Sequence, residues 1–375
     1  MKLLYIVAVI NILFVGCQTN PLQKEIIYIH NNDIKSKVDI QSVFTEVDLI
    51  ELEDRESPLG QILKVIHLED RYIALIQHND YNQRYVAGFN EAGKTLFFLN
   101  PNESNFFNFN PRDIARINNS FFELIDGSNN SLVRFDLNGR LVSKRALNIK
   151  VANFEYDEES DYYVFYKNFQ VFNEADTSLF YNLIFTDSTF NIVQKYFPFS
   201  IEVGERAIVS FLFPLQKSKS GKIWFAKIFS DSIYCFENAH LSTDNTIVFR
   251  LPGIIEGTVT SNHSKIDIQE LLENNALLLA GWYIIAKDHI SFNLVAKDKP
   301  AWGLYHFSTG TLNVGGYFTT NNGVLFPSPI GITQNEYFIS ALNEFSVQYL
   351  PDFIVENDFV NEMIKKGKTY LLIAK

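Results

Sequence analysis

Cysteine is scarce in this chain, with two in 375 residues, Cys17 and Cys235. Cys235 lies among apolar and aromatic neighbours in Ser232-Ile233-Tyr234-Cys235-Phe236 and reads as a buried filler rather than a nucleophile. Stability must then come from burial, not from a disulfide framework. Long basic runs are also missing, and the net charge is −11 at pH 7. That balance argues against nucleic acid and against an anionic membrane face. Lys217, Lys219 and Lys222, spaced by Ser and Gly, read as a solvated turn. Lys365, Lys366 and Lys368 surround Gly367 and read as the basic end of a short helix. There is no H-E-x-x-H, no paired C-x-x-C, no G-x-S-x-G and no Gly-rich phosphate loop. After the N-terminus, no apolar run approaches the roughly eighteen residues that a membrane-crossing helix needs.

The N-terminus carries the first positive signal. Lys2 precedes an apolar run from Leu3 to Val15, broken only by Asn11, and Gly16 follows. This is the layout of a secretory signal. The stretch Leu13-Phe14-Val15-Gly16-Cys17 resembles the bacterial lipobox, in which the cysteine takes a lipid and becomes the mature N-terminus. An uncleaved anchor fits less well, because the run spans about 20 Å as a helix against a bilayer core of about 30 Å. We expect a signal peptide over 1–16, a lipid-attached tether over 17–30 and a folded domain over 31–375. The expected location is the bacterial cell envelope, with Cys17 anchoring the chain to the outer membrane. Gln18-Thr19-Asn20-Pro21 lacks the acidic run that resembles a surface-export signal, which favours the periplasmic face.

With 47% hydrophobic and 15% aromatic residues, the remainder can bury a large core. Two segments align without gaps at an offset of 46 residues, Asp80–Lys94 and Asp126–Arg140. Their shared skeleton is an Asp, a Phe nine residues on, then Asn or Asp, Gly and a base. Asp and Asn close turns by bonding their own backbone, and Gly93 and Gly139 can supply a positive φ. Between the turns, Val133, Phe135 and Leu137 alternate with Leu132, Arg134 and Asp136, the period of a strand. Weaker copies centre on Phe185, Phe236 and Phe307. Residues 266–275, inserted before the last copy, carry helical spacing.

A period of about 46 to 51 residues with strand–turn–strand content points to a β-propeller. The anchors Phe89, Phe135, Phe185, Phe236 and Phe307 count five blades. A sixth forms if Val47–Leu52 pairs with the strands at 337–340 and 370–373, which would leave no open edge. Residues 353–366 read as a short helix before the last strand. The expected fold is all-β, a six-bladed β-propeller with N- and C-terminal strands closing one blade. A pair of β-sandwiches is the competing arrangement.

The stretch Asp126…Asn129…Phe135-Asp136…Gly139-Arg140 resembles an NHL-type propeller repeat. From residue 40 onwards the chain resembles a family of six-bladed β-propeller lipoproteins of Gram-negative bacteria. The likeness rests on Ser42–Leu52, Leu59–Val65, the paired turns at Phe89–Lys94 and Phe135–Arg140, and Asp231–Tyr234. Where that family has a Gly-Pro-Gly-Glu-Tyr-like loop, this chain has Asn100–Pro111. The resemblance implies the fold and a lipid anchor, but no established chemistry.

Phe106, Phe107 and Phe109 stand among Asn, Ser and Pro in that departing loop and are the candidate binding residues. Packing beneath the loop is their alternative role. Among the scattered histidines, His67, His78 and His306 would meet only if different blades brought them to the propeller axis. The acidic run Asp157–Asp161 reads as a hairpin tip rather than a calcium loop. No metal and no cofactor are expected. The function expected is a non-enzymatic binding or scaffold module for an envelope protein or glycan. The alternative is a propeller hydrolase or lyase acting on a glycan, whose carboxylates would come from separate blades.

Overall fold

The computed structural model describes residues 24–53, 59–78, 83–100, 109–170, 177–199, 213–227, 230–253, 271–296, 300–347 and 357–375. The signal segment, Cys17, Phe106 and Phe107 lie outside the described residues. Six sheets stand around one axis, and five of them are blades built around four consecutive antiparallel strands. Blade 1 is Gln61–Leu68, Arg71–Gln77, Arg84–Asn90 and Thr95–Leu99. Blade 2 is Pro111–Arg116, Phe121–Asp126, Ser131–Asp136 and Leu141–Ala146. Blade 3 is Asn153–Asp157, Tyr162–Tyr166, Tyr181–Asp187 and Ile192–Pro198. Blade 4 is Leu215–Lys217, Ile223–Ala226, Ser232–Glu237 and His240–Arg250. Blade 5 is Leu278–Ile285, His289–Val295, Pro300–His306 and Thr311–Thr319.

Blade 6 joins the two ends of the chain. Gly331–Ile332, Phe338–Leu342 and Thr369–Ala374 come from the C-terminal part, and Val47–Leu52 adds the outermost strand. Thr369 pairs with Leu52 and Ala374 with Val47, antiparallel, as the sequence predicts. A short helix, Asp358–Lys365, precedes the closing strand. Asn357 caps it by accepting from the Val360 N–H at 3.0 Å, and Gly367 ends it at φ +62°. Of the helix predicted over 266–275, residues 271–273 are described as helical, and 266–270 lie outside the described residues.

Two edge strands were not expected. Ile26–Tyr28 pairs in parallel with the outer strand of blade 4, and Ile34–Asp39 with the outer strand of blade 5. The chain thus runs along three successive blade edges before closing the ring. The tether predicted over 17–30 therefore gives up its last residues to the propeller from Ile26 onwards. The reason is edge pairing: each outer strand carries unpaired N–H and C=O groups that a further strand satisfies.

Every blade is packed on both faces, so its middle strands are largely buried. Tyr72, Ile73, Ala74, Leu75 and Ile76 are all buried, whereas Leu141–Ala146 at an outer edge is mostly exposed. Six buried clusters result, one in each seam between adjacent blades. Val133 and Phe135 face the seam with blade 1 and Leu132 the seam with blade 3, which is the alternation read from the sequence.

The repeated turn has one geometry. In blade 1 the Asn90 side chain accepts from the Ala92 and Lys94 N–H groups at 3.1 and 2.9 Å. In blade 2 Asp136 accepts from Asn138 and Arg140, both at 2.8 Å. Gly93 and Gly139 take φ +77° and +74°. Blade 3 repeats the turn around Asp187, which accepts from Thr189 and Asn191 at 2.9 and 2.8 Å. There Phe190 occupies the glycine position at φ +68°. Register makes Thr186 the counterpart of Phe89 and Phe135, so the blade 3 anchor at Phe185 is one residue early and faces the opposite seam.

Candidate functional site at the channel mouth

The first strand of each blade lines the central channel, and three of them bring charge into it. Lys64 Nζ lies 3.0 Å from Asp113 Oδ1 and 3.1 Å from Glu155 Oε1. These residues belong to blades 1, 2 and 3. Irregularities between Ile62 and Lys64, and between Pro111 and Ile114, mark β-bulges in the first two strands. Such bulges can re-aim side chains, and Lys64 and Asp113 each stand beside one. The Asp113 carboxylate also accepts from the Ile114 and Phe154 N–H groups at 2.8 and 3.0 Å. Lys64 lies over the Phe213 ring at 5.6 Å.

Burial sets the electrostatics of this cluster. It pushes the Asp113 and Glu155 carboxyls above the ordinary carboxylate range, although Lys64 pulls both down. For Lys64, burial opposes the charged form, but the two carboxylates together outweigh it and raise the ammonium. One cation thus serves two acids, and the cluster is a closed tie between three blades.

Beyond the tie the channel opens into a cavity of about 470 Å³, where the first strands end. Its wall is mainly apolar, with Val65, Phe213, Leu215, Trp282 and Ile332, and Lys64 and Glu155 of the tie line it as well. Its rim is charged with both signs: Arg116, Glu158, Glu159, Lys217, Lys219 and Glu336. Trp282 is pinned by donating to the Pro329 carbonyl at 3.2 Å, and its ring meets Phe213 edge-on at 6.5 Å. His67 also lies at this mouth. Its Nδ1 accepts from the Gln334 N–H at 3.2 Å, and burial lowers its affinity for a second proton.

The other residues singled out in the sequence disperse. His78 is exposed at the end of the second strand of blade 1. His306 packs on His289 in blade 5, with ring centroids 4.3 Å apart. The three histidines therefore do not converge. Asp157–Asp161 is a hairpin tip, with Asp161 accepting from Tyr156 Oη at 2.8 Å and Ser188 Oγ at 2.7 Å. Among the described residues, no group of three or more His, Cys, Asp and Glu is arranged to hold a metal. Cys235 is fully buried, and burial pushes its thiol up to about 12.

Phe109 requires a correction. It is 6% exposed and packs edge-on against Phe135 at 6.5 Å, in the seam between blades 1 and 2. It serves as core. The residue after the Asn/Pro-rich loop already belongs to the approach of the first strand of blade 2, where an aromatic ring gains more from burial than from exposure. Sequence reasoning also missed Lys64, Asp113 and Glu155. Only Lys64 left a signal, a single charged residue inside the apolar run Ile62-Leu63-Lys64-Val65-Ile66, whereas Asp113 and Glu155 stand in strands that carry other charges.

Residues 18–309 match the DUF5128 model, described as a 6-bladed beta-propeller. The chain belongs to this family. A search of curated proteins found no match. Among solved structures, a Bacteroides fragilis protein described as exported is 14% identical with a TM-score of 0.64, covering 93% of this chain and 99% of its own. A DUF4221 member from Bacteroides vulgatus is 8% identical with a TM-score of 0.47, covering 89% and 97%. A virginiamycin B lyase from Staphylococcus aureus is 11% identical with a TM-score of 0.42, covering 88% and 100%. The first likeness is one of fold, and the last two carry no argument about this chain. Among the described residues, no helix is long and apolar enough to cross a membrane.

Proposed function

We propose that this DUF5128 propeller is a binding module of a bacterial cell envelope, and that the channel mouth is where it holds its partner. The observation that carries the reading is the closed Lys64–Asp113–Glu155 tie beneath an open, apolar-walled cavity. The buried charges satisfy one another, which leaves the cavity free to act by shape and by its mixed rim. Phe106 and Phe107, outside the described residues, remain candidate partner contacts. The signal-like N-terminus supports lipid attachment at Cys17, and the B. fragilis relative is described as exported.

Two experiments test this. Immobilised mature propeller should retain an envelope protein or glycan, and Trp282→Phe or Glu159→Lys at the mouth should reduce retention without lowering the melting temperature. Retention unchanged in both variants would place binding elsewhere. Separately, Cys17→Ala expressed in a lipoprotein-processing host should move the protein out of the membrane fraction. The second reading, a glycan hydrolase or lyase, draws on Glu155, whose carboxyl burial pushes above the ordinary carboxylate range beside a second acid. Glycan fragments released by wild type but not by Glu155→Gln would establish it in place of the binding module.

A further inference from the structure

A second cavity, of about 590 Å³, lies on the same face in the seam between blades 4 and 5. It shares Ser218, Lys219 and Glu336 with the channel mouth. The two are therefore one cleft, running outward from the axis to the blade seam. Two of the chain's three tryptophans line it, Trp282 at the axial end and Trp224 at the outer end. Trp224 is 9% exposed, and its Nε1 is buried with no hydrogen-bond partner among the described residues. A buried indole N–H without an acceptor costs free energy unless a ligand supplies one. Between the tryptophans stand side chains of both signs, with Lys219, Lys287 and Asp244 exposed.

We propose that this cleft binds an uncharged oligosaccharide, laid radially from the channel mouth to the blade 4–5 seam. The proposal rests on the channel-mouth reading and extends it. Sugar rings present apolar C–H faces that suit aromatic walls, and hydroxyls that both donate and accept. A rim of mixed sign meets hydroxyls in either role, whereas an ionic ligand would call for one dominant sign. A peptide fits less well. The cleft crosses the hairpin turns at residues 218–222 and 286–288 and follows an outer strand only at Asp244, Asn245 and Ile247 of blade 4, so a peptide backbone would find only a short edge to pair with.

Isothermal titration calorimetry of the mature propeller tests this. The probes are glucose, mannose and N-acetylglucosamine disaccharides, their longer oligomers, and end-capped neutral peptides of similar length. The longer oligomers of at least one sugar should bind more tightly than its disaccharide. Trp224→Phe removes the N–H while keeping the seam filled, and Lys287→Ala alters an exposed side chain that lines the outer cavity alone. Each should weaken the longer oligomer by about tenfold, a step of one decade in Kd, and leave the disaccharide unchanged. Trp282→Phe should weaken both. Affinity that does not grow with length, or outer variants that bind long oligomers like wild type, would overturn the extended cleft while leaving the channel mouth standing. Binding of the peptides alone, or of no saccharide, would overturn the ligand class.

Discussion

Lys64 and Asp113 meet 3.0 Å apart across the boundary of blades 1 and 2, with the Lys64 side chain 11% exposed and the Asp113 side chain 0% exposed. Two charges withdrawn from water to this extent are costly singly and tolerable only together. The same ammonium reaches Glu155 in blade 3. The tie therefore does not so much strengthen one seam as forbid arrangements in which three blades lose their relative register.

All three groups of this cluster hold their proton more tightly in the folded protein than in the unfolded chain. For each, the stabilising contribution is complete below the unfolded pKa and is lost as pH rises through the folded one. The cluster therefore weakens as pH climbs above the ordinary carboxylate range, and again above the ordinary lysine range. Lys64→Met strands two buried acids and should cost about 3–5 kcal/mol near neutral pH. In mild acid the loss should shrink, because the acids can take up protons. Thermal unfolding of the variant at both pH values measures this, and an equal loss at each would mean that Lys64 acts by packing alone.

Ring closure depends on Thr369–Ala374, held between Phe338–Leu342 and Val47–Leu52. Leu371 and Leu372 are fully buried on its two faces. Leu371→Ala should cost about 2–5 kcal/mol. Removing residues 370–375 should cost more, since it unpairs two strands and opens two seams at roughly 25 cal/mol per Å² of apolar area. Differential scanning calorimetry of both variants decides, and a truncated chain that melts like wild type would contradict closure by these strands.

Phe109 should behave as core. Phe109→Ala should lower stability by about 3–5 kcal/mol, the usual range for a buried phenylalanine. Denaturant unfolding provides the measurement. A variant as stable as wild type but impaired in partner capture would return Phe109 to the surface role read from its loop.

The sequence by itself determined the architecture, because that information is local. Turn chemistry at Asn90 and Asp136, the positive φ of Gly93 and Gly139, and strand alternation around Phe135 are all set within a few residues. Their recurrence was enough to count blades and to pair Val47–Leu52 with the C-terminal strands. Local pattern misread one copy, since Phe190 stands where glycine was the cue and the blade 3 anchor slipped from Thr186 to Phe185. The site was decided only by tertiary structure. Lys64, Asp113 and Glu155 lie 49 and 91 residues apart along the chain, measured from Lys64. They meet because blades 1, 2 and 3 place their first strands side by side. The parallel edge strands at Ile26 and Ile34 were equally hidden, and the choice between the two roles read for Phe109 was made only by the seam it enters. Each depends on which surface a neighbouring blade leaves open to cover, and no periodicity within a single segment encodes that.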